Sequence, residues 1–333
     1  MIEKQLQQKE NKATTFNFTL SPLRIVFMGT PEFAVASLEA LVKAGYNIVG
    51  VITAPDKPAG RGMQLQQSAV KKYAVEHHLN VLQPEKLKQS EFLDALKALK
   101  ADLQIVVAFR MLPEVVWNMP RMGSVNLHGS LLPQYRGAAP INWAVINGER
   151  ETGVTTFKLK QEIDTGDILL QERFAIGEND TAGDVHDTMK EIGAAVLVKT
   201  VAGLAAGSLS ETPQSEIAKL QSAIRHAPKI FTETCRIDLT KTVDEVHNLI
   251  RGLSPFPGAF TMLNGKTLKI YKSEKEIDQR QTALSRNNAY QTDGKTFLKF
   301  LCADGYIEVK ELQLEGKKKM NVEDFLRGYR FTE

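Results

Sequence analysis

Cysteine is scarce in this sequence, which has only Cys235 and Cys302 in 333 residues. Two widely separated cysteines match no zinc-ligand spacing and do not suggest a disulfide framework, which is typical of proteins from a reducing compartment. Apolar runs are also short, because none approaches the eighteen or more residues that a membrane-spanning helix requires. We therefore expect a cytoplasmic protein that has no membrane segment.

The first twenty residues lack the apolar core and the small-residue cleavage site of a secretory signal. They are polar and rich in Gln and Lys, so we expect residues 1–21 to form a flexible tail. The remaining chain is long enough for two domains, and its 43% hydrophobic content provides for real cores. Residues 1–212 carry a net charge of −1 and residues 213–333 one of +4. The basic C-terminal part suits a polyanionic partner, although ordinary solubility explains it equally well.

Residues 22–208 alternate short apolar runs with helical patterns. LRIVFMGT ends in a turn at Gly29 and is followed by the helical pattern EFAVASLEALVKAG, and similar pairs continue to LQIVVAF at residues 103–109. This alternation predicts an α/β domain with a doubly wound, mostly parallel, Rossmann-like sheet. Gly29 lacks the second and third glycines of a dinucleotide fingerprint, so we interpret it as a turn residue.

A polar stretch at residues 209–221 is typical of a linker, and the pattern changes after it. Residues 222–333 contain one amphipathic helix and then short alternating segments separated by turns such as LNGK and ADGY. Such segments predict a small antiparallel β-barrel of five strands, similar to an oligonucleotide-binding fold.

Asn126 and His128 are two residues apart at the end of a predicted strand, so their side chains point to the same face. An amide can donate to a developing oxyanion, and an imidazole can donate or exchange a proton near neutral pH. The alternative is that Asn126 caps a turn and His128 packs in the core. Asp164, in the turn EIDTGD, could orient the imidazole. No Ser or Cys nucleophile lies beside the pair, which favours direct transfer of an acyl-like group to an incoming nucleophile.

The stretches NLHGSLLPQYRGAAPINWAVINGE and GVTTFKLKQEIDTGDIL resemble the folate-dependent formyltransferase family, and the resemblance covers residues 22–330. It implies that Asn126, His128 and Asp164 are catalytic and that the formyl donor is 10-formyltetrahydrofolate, with no metal required. It also implies a folate site lined by the next turn of the chain, which consists of Ser130, Leu131, Leu132 and Pro133.

MGTPEFA, APDKPAGRG, SPFPGA and GKKKM further resemble the members of this family that act on initiator methionyl-tRNA. This resemblance implies formyl transfer to the α-amino group of that tRNA. Glycinamide ribonucleotide or an amino sugar is the alternative acceptor, and a non-catalytic RNA-binding protein on an old enzyme scaffold is the alternative class.

The loop AFRML departs from the family, because many relatives have Tyr-Gly where this chain has Phe109 and Arg110. We expect Phe109, Arg110 and Met111 to form this side of the pterin pocket. Met111, Trp117 and Met119 could also be interpreted as a cluster of side chains that binds a ligand, but packing in the core is the favoured interpretation.

Basic residues in two places are candidates for tRNA contacts. Lys57 and Arg61 lie on the loop APDKPAGRGMQ, and Lys317, Lys318 and Lys319 follow a glycine in the C-terminal domain. Solvated surface turns are the alternative in both places. We expect the protein to act as a monomer.

Overall fold

A computed structural model of the chain describes residues 23–59, 64–219, 223–277 and 290–331. The N-terminal part contains one large sheet and the helices packed on it. Its strands are β1 (Arg24–Gly29), β2 (Asn47–Ile52), β3 (Lys57–Ala59), β4 (Gln64–Gln66), β5 (Val81–Leu82), β6 (Leu103–Val107), β7 (Ser124–His128), β8 (Arg136–Gly137), β9 (Glu151–Lys158), β10 (Ile168–Ala175) and β11 (His226–Ala227). Its helices are α1 (Glu32–Lys43), α2 (Ala69–Glu76), α3 (Ser90–Ala98), α4 (Glu114–Trp117), α5 (Pro140–Ile146), α6 (Ala182–Ala205) and α7 (Gln214–Ala218).

The large sheet has seven strands in the order β10-β9-β7-β6-β1-β2-β5. The five strands from β7 to β5 are parallel, and β9 runs antiparallel to β7 and β10. The predicted doubly wound, mostly parallel sheet is therefore confirmed. The strand order reverses between β1 and β6, and ligands of such sheets bind outside the carboxyl ends of the strands at that point.

Both faces of this sheet are covered. Ile25 and Phe27 of β1 pack in the same cluster as Leu38 of α1, whereas Val26 and Met28 pack in a second cluster with side chains of α3. Successive side chains of a strand point to opposite faces, so the continuous apolar run of β1 serves two cores.

The C-terminal part is a curled antiparallel sheet of six strands. Its elements are a 3₁₀ turn (Glu233–Cys235), α8 (Val243–Gly252), β12 (Ala259–Leu263), β13 (Lys266–Ile277), β14 (Tyr290–Thr292), β15 (Leu298–Leu301), β16 (Gly305–Leu314), β17 (Met320–Asn321) and α9 (Val322–Gly328). The strand order is β12-β13-β16-β15-β14, with β17 paired to β16. The predicted antiparallel β-domain is confirmed. It has six strands where five were expected, and within the described ranges β12 and β14 remain its two edges.

Contacts between the two parts involve main-chain groups and charges. Buried Arg251 of α8 donates to the carbonyl of Asp180 at 2.9 Å, and Asn142 of α5 donates to the carbonyl of Gly252 at 2.8 Å. Lys275 of β13 forms an ion pair with Glu178 at 2.8 Å. None of the helices in the described ranges is long and apolar enough to span a lipid bilayer.

Candidate active site

A cavity of about 700 Å³ opens at the carboxyl ends of β1, β6 and β7. This is the end of the sheet where the strand order reverses, as the topology requires of a ligand site. The cavity is large enough for a drug-sized ligand. Its walls include Pro31, Phe33, Phe109, Arg110, Met111, Leu112, Trp117, Asn126, His128, Pro140, Ile141, Leu159, Asp164 and His186.

His128 lies at the end of β7 and is only 7% exposed. Its Nε2 is 2.9 Å from the main-chain carbonyl oxygen of Tyr135. Because a carbonyl oxygen can only accept, Nε2 must carry the hydrogen of this bond. The other ring nitrogen, Nδ1, is 3.8 Å from Oδ2 of Asp164. Nδ1 is therefore the ring nitrogen that can exchange a proton with a ligand.

Asp164 comes from the loop between β9 and β10, which brings its carboxylate beside His128. Its Oδ2 accepts the backbone N–H of Gly137 at 2.9 Å. The residue has a left-handed backbone with φ of 54°. Gly166 closes the same turn against Lys158, because a Cβ at that position would lie 1.6 Å from the Lys158 carbonyl oxygen. The sequence TGD after Asp164 therefore serves the geometry of the turn.

Asn126 is half-buried and lines the same cavity as His128. In the part of the chain that the structure describes, no protein group forms a hydrogen bond with its side chain. The amide is therefore available to donate to a ligand.

The turn Ser130 to Pro133 does not line the cavity, which differs from the expectation for the folate site. Ser130, Leu132 and Pro133 are buried, and Leu132 packs on Phe157. The hydroxyl of Thr155 donates to the Ser130 carbonyl at 2.7 Å and accepts from the Leu132 N–H at 3.1 Å. Leu131 also faces inward, since a Cβ on Gly153 would lie 2.5 Å from it. These bonds to Thr155 of β9 hold the turn against the sheet, directly after the end of β7 where His128 lies.

The loop after β6 does form a cavity wall. Phe109, Arg110 and Met111 all line it, and the Arg110 guanidinium donates to the carbonyls of Glu85, at 2.7 Å, and Pro84. Burial lowers the pKa of Arg110, although a guanidinium stays charged in any case. Met111 is 74% exposed, so the core-packing interpretation is wrong for this residue. Trp117 is half-buried and lines the cavity.

Met119 packs against the apolar cluster between the sheet and α3, so the core-packing interpretation is confirmed for it. Met119 itself is not among the residues that line the cavity, although Phe109 and Leu112 of the same cluster are.

The basic candidates that the structure describes are not among the residues that line the cavity. Lys57 is exposed at the start of the hairpin β3–β4, and Arg61 lies outside the described residues. Lys317, Lys318 and Lys319 are exposed in the turn between β16 and β17. Lys319 pairs with Glu311 at 2.5 Å and lies 5.0 Å from the centre of the Tyr271 ring. Within the described ranges the ammonium groups of Lys317 and Lys318 have no partner, so their charges are available to an anion.

Sequence reasoning missed three residues of the site. Tyr135 supplies the carbonyl that accepts from His128, and His186 lines the cavity near Phe33. Gln214 donates to the carbonyl of Asp164 at 2.9 Å. Burial and a hydrogen bond to Glu149 raise the pKa of the Tyr135 phenol, so it stays protonated and donates to that carboxylate. The sequence does not indicate these residues. Tyr135 uses its own main-chain carbonyl and Gln214 binds the main-chain carbonyl of another residue, and neither interaction depends on a recognisable side-chain pattern.

A chain with this fold and this cavity matches known families in both parts. The formyl transferase family model matches residues 23–201, and the model of the formyl transferase C-terminal domain matches residues 229–330. The chain therefore belongs to the formyl transferase family. It is 54% identical over 316 residues to the methionyl-tRNA formyltransferase of Bacteroides fragilis, a match that covers 93% of this chain and 96% of that protein. The enzyme of the same name from Flavobacterium johnsoniae is 48% identical over 94% of this chain and 98% of its own length.

A solved structure has the same fold. The N-formyltransferase from Helicobacter canadensis, in complex with folinic acid and dTDP-3-aminofucose, matches with a TM-score of 0.63 and 23% identity. The match covers 89% of this chain and 99% of that one.

Proposed function

We propose that this protein transfers the formyl group of 10-formyltetrahydrofolate to the α-amino group of initiator methionyl-tRNA, which yields N-formylmethionyl-tRNA and tetrahydrofolate. The observation that carries the proposal is the convergence of Asn126, His128 and Asp164 on one cavity at the carboxyl edge of the sheet. The names of the bacterial relatives, which match over nearly the full chain, support methionyl-tRNA as the acceptor.

The cavity suits a flat heterocycle such as the pterin of the donor. Phe109, Leu112 and Trp117 supply apolar and aromatic walls, and the polar groups of Asn126, His128 and Asp164 line the same cavity. When bound, 10-formyltetrahydrofolate supplies the formyl carbon that the amine of methionyl-tRNA attacks. The buried turn Ser130 to Pro133, bonded to Thr155 of β9, holds the main chain next to the cavity in place.

Asn126 and His128 stabilise the reaction electrostatically. The amide of Asn126 has no competing partner among the described residues, so it can donate to the negative charge that builds on the formyl oxygen. His128 can donate from Nδ1 in its protonated form, because Nε2 is already engaged by the Tyr135 carbonyl. Preorganised donors of this kind need no reorientation during the reaction, which is why they lower the barrier.

Asp164 assists through its charge. A carboxylate 3.8 Å from Nδ1 can orient the ring and form an ion pair with it whenever the imidazole is protonated, as the carboxylate of a hydrolase triad does. It can also help to relay the proton that the attacking amine loses toward N10 of the folate, which leaves as tetrahydrofolate when its bond to the formyl carbon breaks. The Gly137 N–H holds one carboxylate oxygen in place for both roles.

We assign tRNA contacts to Lys57, Arg61, Lys317, Lys318 and Lys319, with the C-terminal domain as the tRNA-binding unit. Lys317 and Lys318 support this assignment, because both are exposed and their charges have no partner in the part of the chain that the structure describes. We also propose that the protein acts as a cytoplasmic monomer. One chain supplies the whole catalytic group, and Cys235 and Cys302 are both free thiols, which fits a reducing compartment.

The test is to incubate the protein with 10-formyltetrahydrofolate and, separately, with charged initiator tRNA, glycinamide ribonucleotide or a nucleotide-linked amino sugar, followed by mass analysis. We expect a formyl group on the methionine of the tRNA only. Formylation of either small amine in place of the tRNA would refute the proposed acceptor.

The same assay tests the catalytic assignment. Asn126→Ala should lower turnover by roughly 10²- to 10³-fold, as for a lost oxyanion donor. His128→Ala should lower it by roughly 10²- to 10⁴-fold, as for a lost general acid or base. Folate affinity should hardly change in either variant. His77→Ala, which replaces an exposed histidine after α2, is the control and should keep full turnover. Near-normal turnover of the His128 variant would contradict its assigned role.

A further inference from the structure

The segment that joins the two domains, residues 208–228, is packed on the catalytic domain in its described parts, residues 208–219 and 223–228. Thr212 and Ile168 exchange two backbone hydrogen bonds, at 2.8 and 2.9 Å. After residues 220–222, which the structure does not describe, β11 pairs in parallel with β8. The sequence pattern is typical of a linker at residues 209–221, yet the described parts of this segment reach the catalytic residues.

The two partners of His128 share an uncommon backbone conformation. Tyr135, which accepts from Nε2, has φ of 58°, and Asp164, which faces Nδ1, has φ of 54°. A left-handed conformation costs a residue with a Cβ about 1–2 kcal/mol, so neighbouring groups must hold it. Both ring nitrogens of His128 therefore depend on main-chain conformations that the local sequence does not itself favour.

Gln214 holds the Asp164 side. It is 3% exposed, and its Nε2 donates to the carbonyls of Asp164 at 2.9 Å and Gly166 at 2.8 Å. Its Oε1 accepts two hydrogen bonds from the Arg136 guanidinium, at 3.0 and 2.6 Å. The amide thus uses all four of its hydrogen-bonding positions, and two of them clamp the turn that carries the catalytic carboxylate.

The same segment holds the Tyr135 side. The backbone N–H of Tyr135 donates to the carbonyl of Arg225 at 2.7 Å. The Tyr135 hydroxyl donates to Glu149 at 2.6 Å and accepts from Arg225 at 3.2 Å. One connecting segment therefore fixes the acceptor of Nε2 and the carboxylate beside Nδ1.

We propose that Gln214 is a positioning residue that holds Asp164 against His128, and that the connecting segment is for this reason part of the catalytic machinery. The inference rests on the proposed function, since it requires Asp164 to act in formyl transfer. Gln214 itself lies behind the turn, where it contacts main-chain carbonyls and Arg136.

The first test compares two buried glutamines. Gln214→Met removes the amide at similar length, and a displacement of the carboxylate on the order of 1 Å should lower kcat by about 10²-fold with little change in KM for the folate. Gln104→Met is the matched control. Gln104 is 1% exposed and bonds Ser124 at the opposite end of β7 from His128, so this variant should lose stability and keep its kcat. Equal kcat values for the two variants would overturn the proposal.

Gln214→Glu separates the two halves of the amide. It keeps an acceptor for Arg136 and removes both donors to the carbonyls, so we expect it to lose as much kcat as the Met variant. Normal kcat in Gln214→Glu would show that the bond to Arg136 is the one that matters, and would overturn the proposed link to Asp164.

A double-mutant cycle decides whether Gln214 acts through Asp164. In an Asp164→Asn background, Gln214→Met should lower kcat by no more than about twofold, because its target is already lost. If the two losses multiply, the inference is wrong and the proposed function stands. If Asp164→Asn alone keeps wild-type kcat, the assigned role of Asp164 in the proposed function is wrong, and this inference with it.

Discussion

Gly137 joins the carboxylate of Asp164, which we propose is catalytic, to the segment between the domains. Its N–H donates to Asp164, and its backbone has φ of 125°, a value that residues with a side chain rarely adopt. A Cβ at this position would lie 2.5 Å from the Ala227 carbonyl oxygen and 3.0 Å from its carbon. Gly137→Ala therefore strains β8 and pushes β11 away from it.

The magnitude follows from these two effects. The backbone conformation costs an alanine about 1–3 kcal/mol. The clash is with main chain and cannot be relieved by a side-chain rotation, so β11 must move and weaken the bond from Ala139 N–H to the Ala227 carbonyl, worth about 1 kcal/mol. We expect a total loss of about 2–4 kcal/mol, or roughly 3–6 °C in Tm for a chain of this size. Displacement of the N–H that holds Asp164 should lower kcat by up to about 10²-fold.

The control is Gly207→Ala, at the end of α6. Gly207 also has a positive φ, 63°, but a Cβ there would meet nothing within 4 Å. This variant should lose about 1–2 kcal/mol of stability and keep full turnover. Thermal unfolding and kcat at saturating substrates, measured on both variants, separate strain from loss of function. A folded Gly137→Ala enzyme with wild-type kcat would refute the proposed link between β8 and the function of Asp164.

Two further predictions concern the C-terminal domain. Replacing Lys317 and Lys318 together by Ala should flatten the slope of log K for tRNA binding against log salt concentration by about 0.7–0.9 for each lost phosphate contact. Lys319→Ala should change the slope less, because Glu311 already neutralises the charge of Lys319. Equal slopes for the wild type and both variants would mean that the lysines of this turn do not contact tRNA. Burial lowers the pKa of His247, and the positive charges of Lys275 and Arg251 lower it further. The unfolded chain then binds more protons, so the free energy of unfolding should fall as the pH drops below about 6.5, by at most about 1.4 kcal/mol per pH unit. Denaturant unfolding of His247→Gln should show a weaker dependence over this range, and an unchanged slope would contradict the origin of the effect.

The fold could be predicted because its signals are local. Alternating strand and helix patterns in residues 22–208 indicate a parallel sheet, and β1 and β6 follow the pattern closely. Asn126 and His128 could be found because a two-residue spacing on a strand puts both side chains on one face, and the strand ends where ligands bind. Asp164 needed the family resemblance, since Asp-Thr-Gly-Asp is by itself an ordinary turn.

The orientation of the turn Ser130 to Pro133 could not be predicted, because it depends on β9 and β10. Thr155 binds the main chain on both sides of Leu131, and Gln171 donates to the Leu132 carbonyl at 2.9 Å. These partners are distant in sequence, and nothing in the turn itself shows which face they will cover. Met111 was misjudged for the same reason, since its exposure depends on where the loop after β6 meets its neighbours.

Gln214 shows a further limit of sequence patterns. The polar segment around it has the composition of a linker, and composition measures only how little apolar surface a segment can bury. A glutamine that binds main-chain carbonyls needs no complementary side chain, because every residue has a carbonyl. Its partners at Asp164 and Gly166 are therefore invisible in the sequence, although the side chain is almost fully buried. A polar segment can thus be a structural part of an active site when its bonds go to the backbone, and burial of its side chains is the property that distinguishes it from a linker.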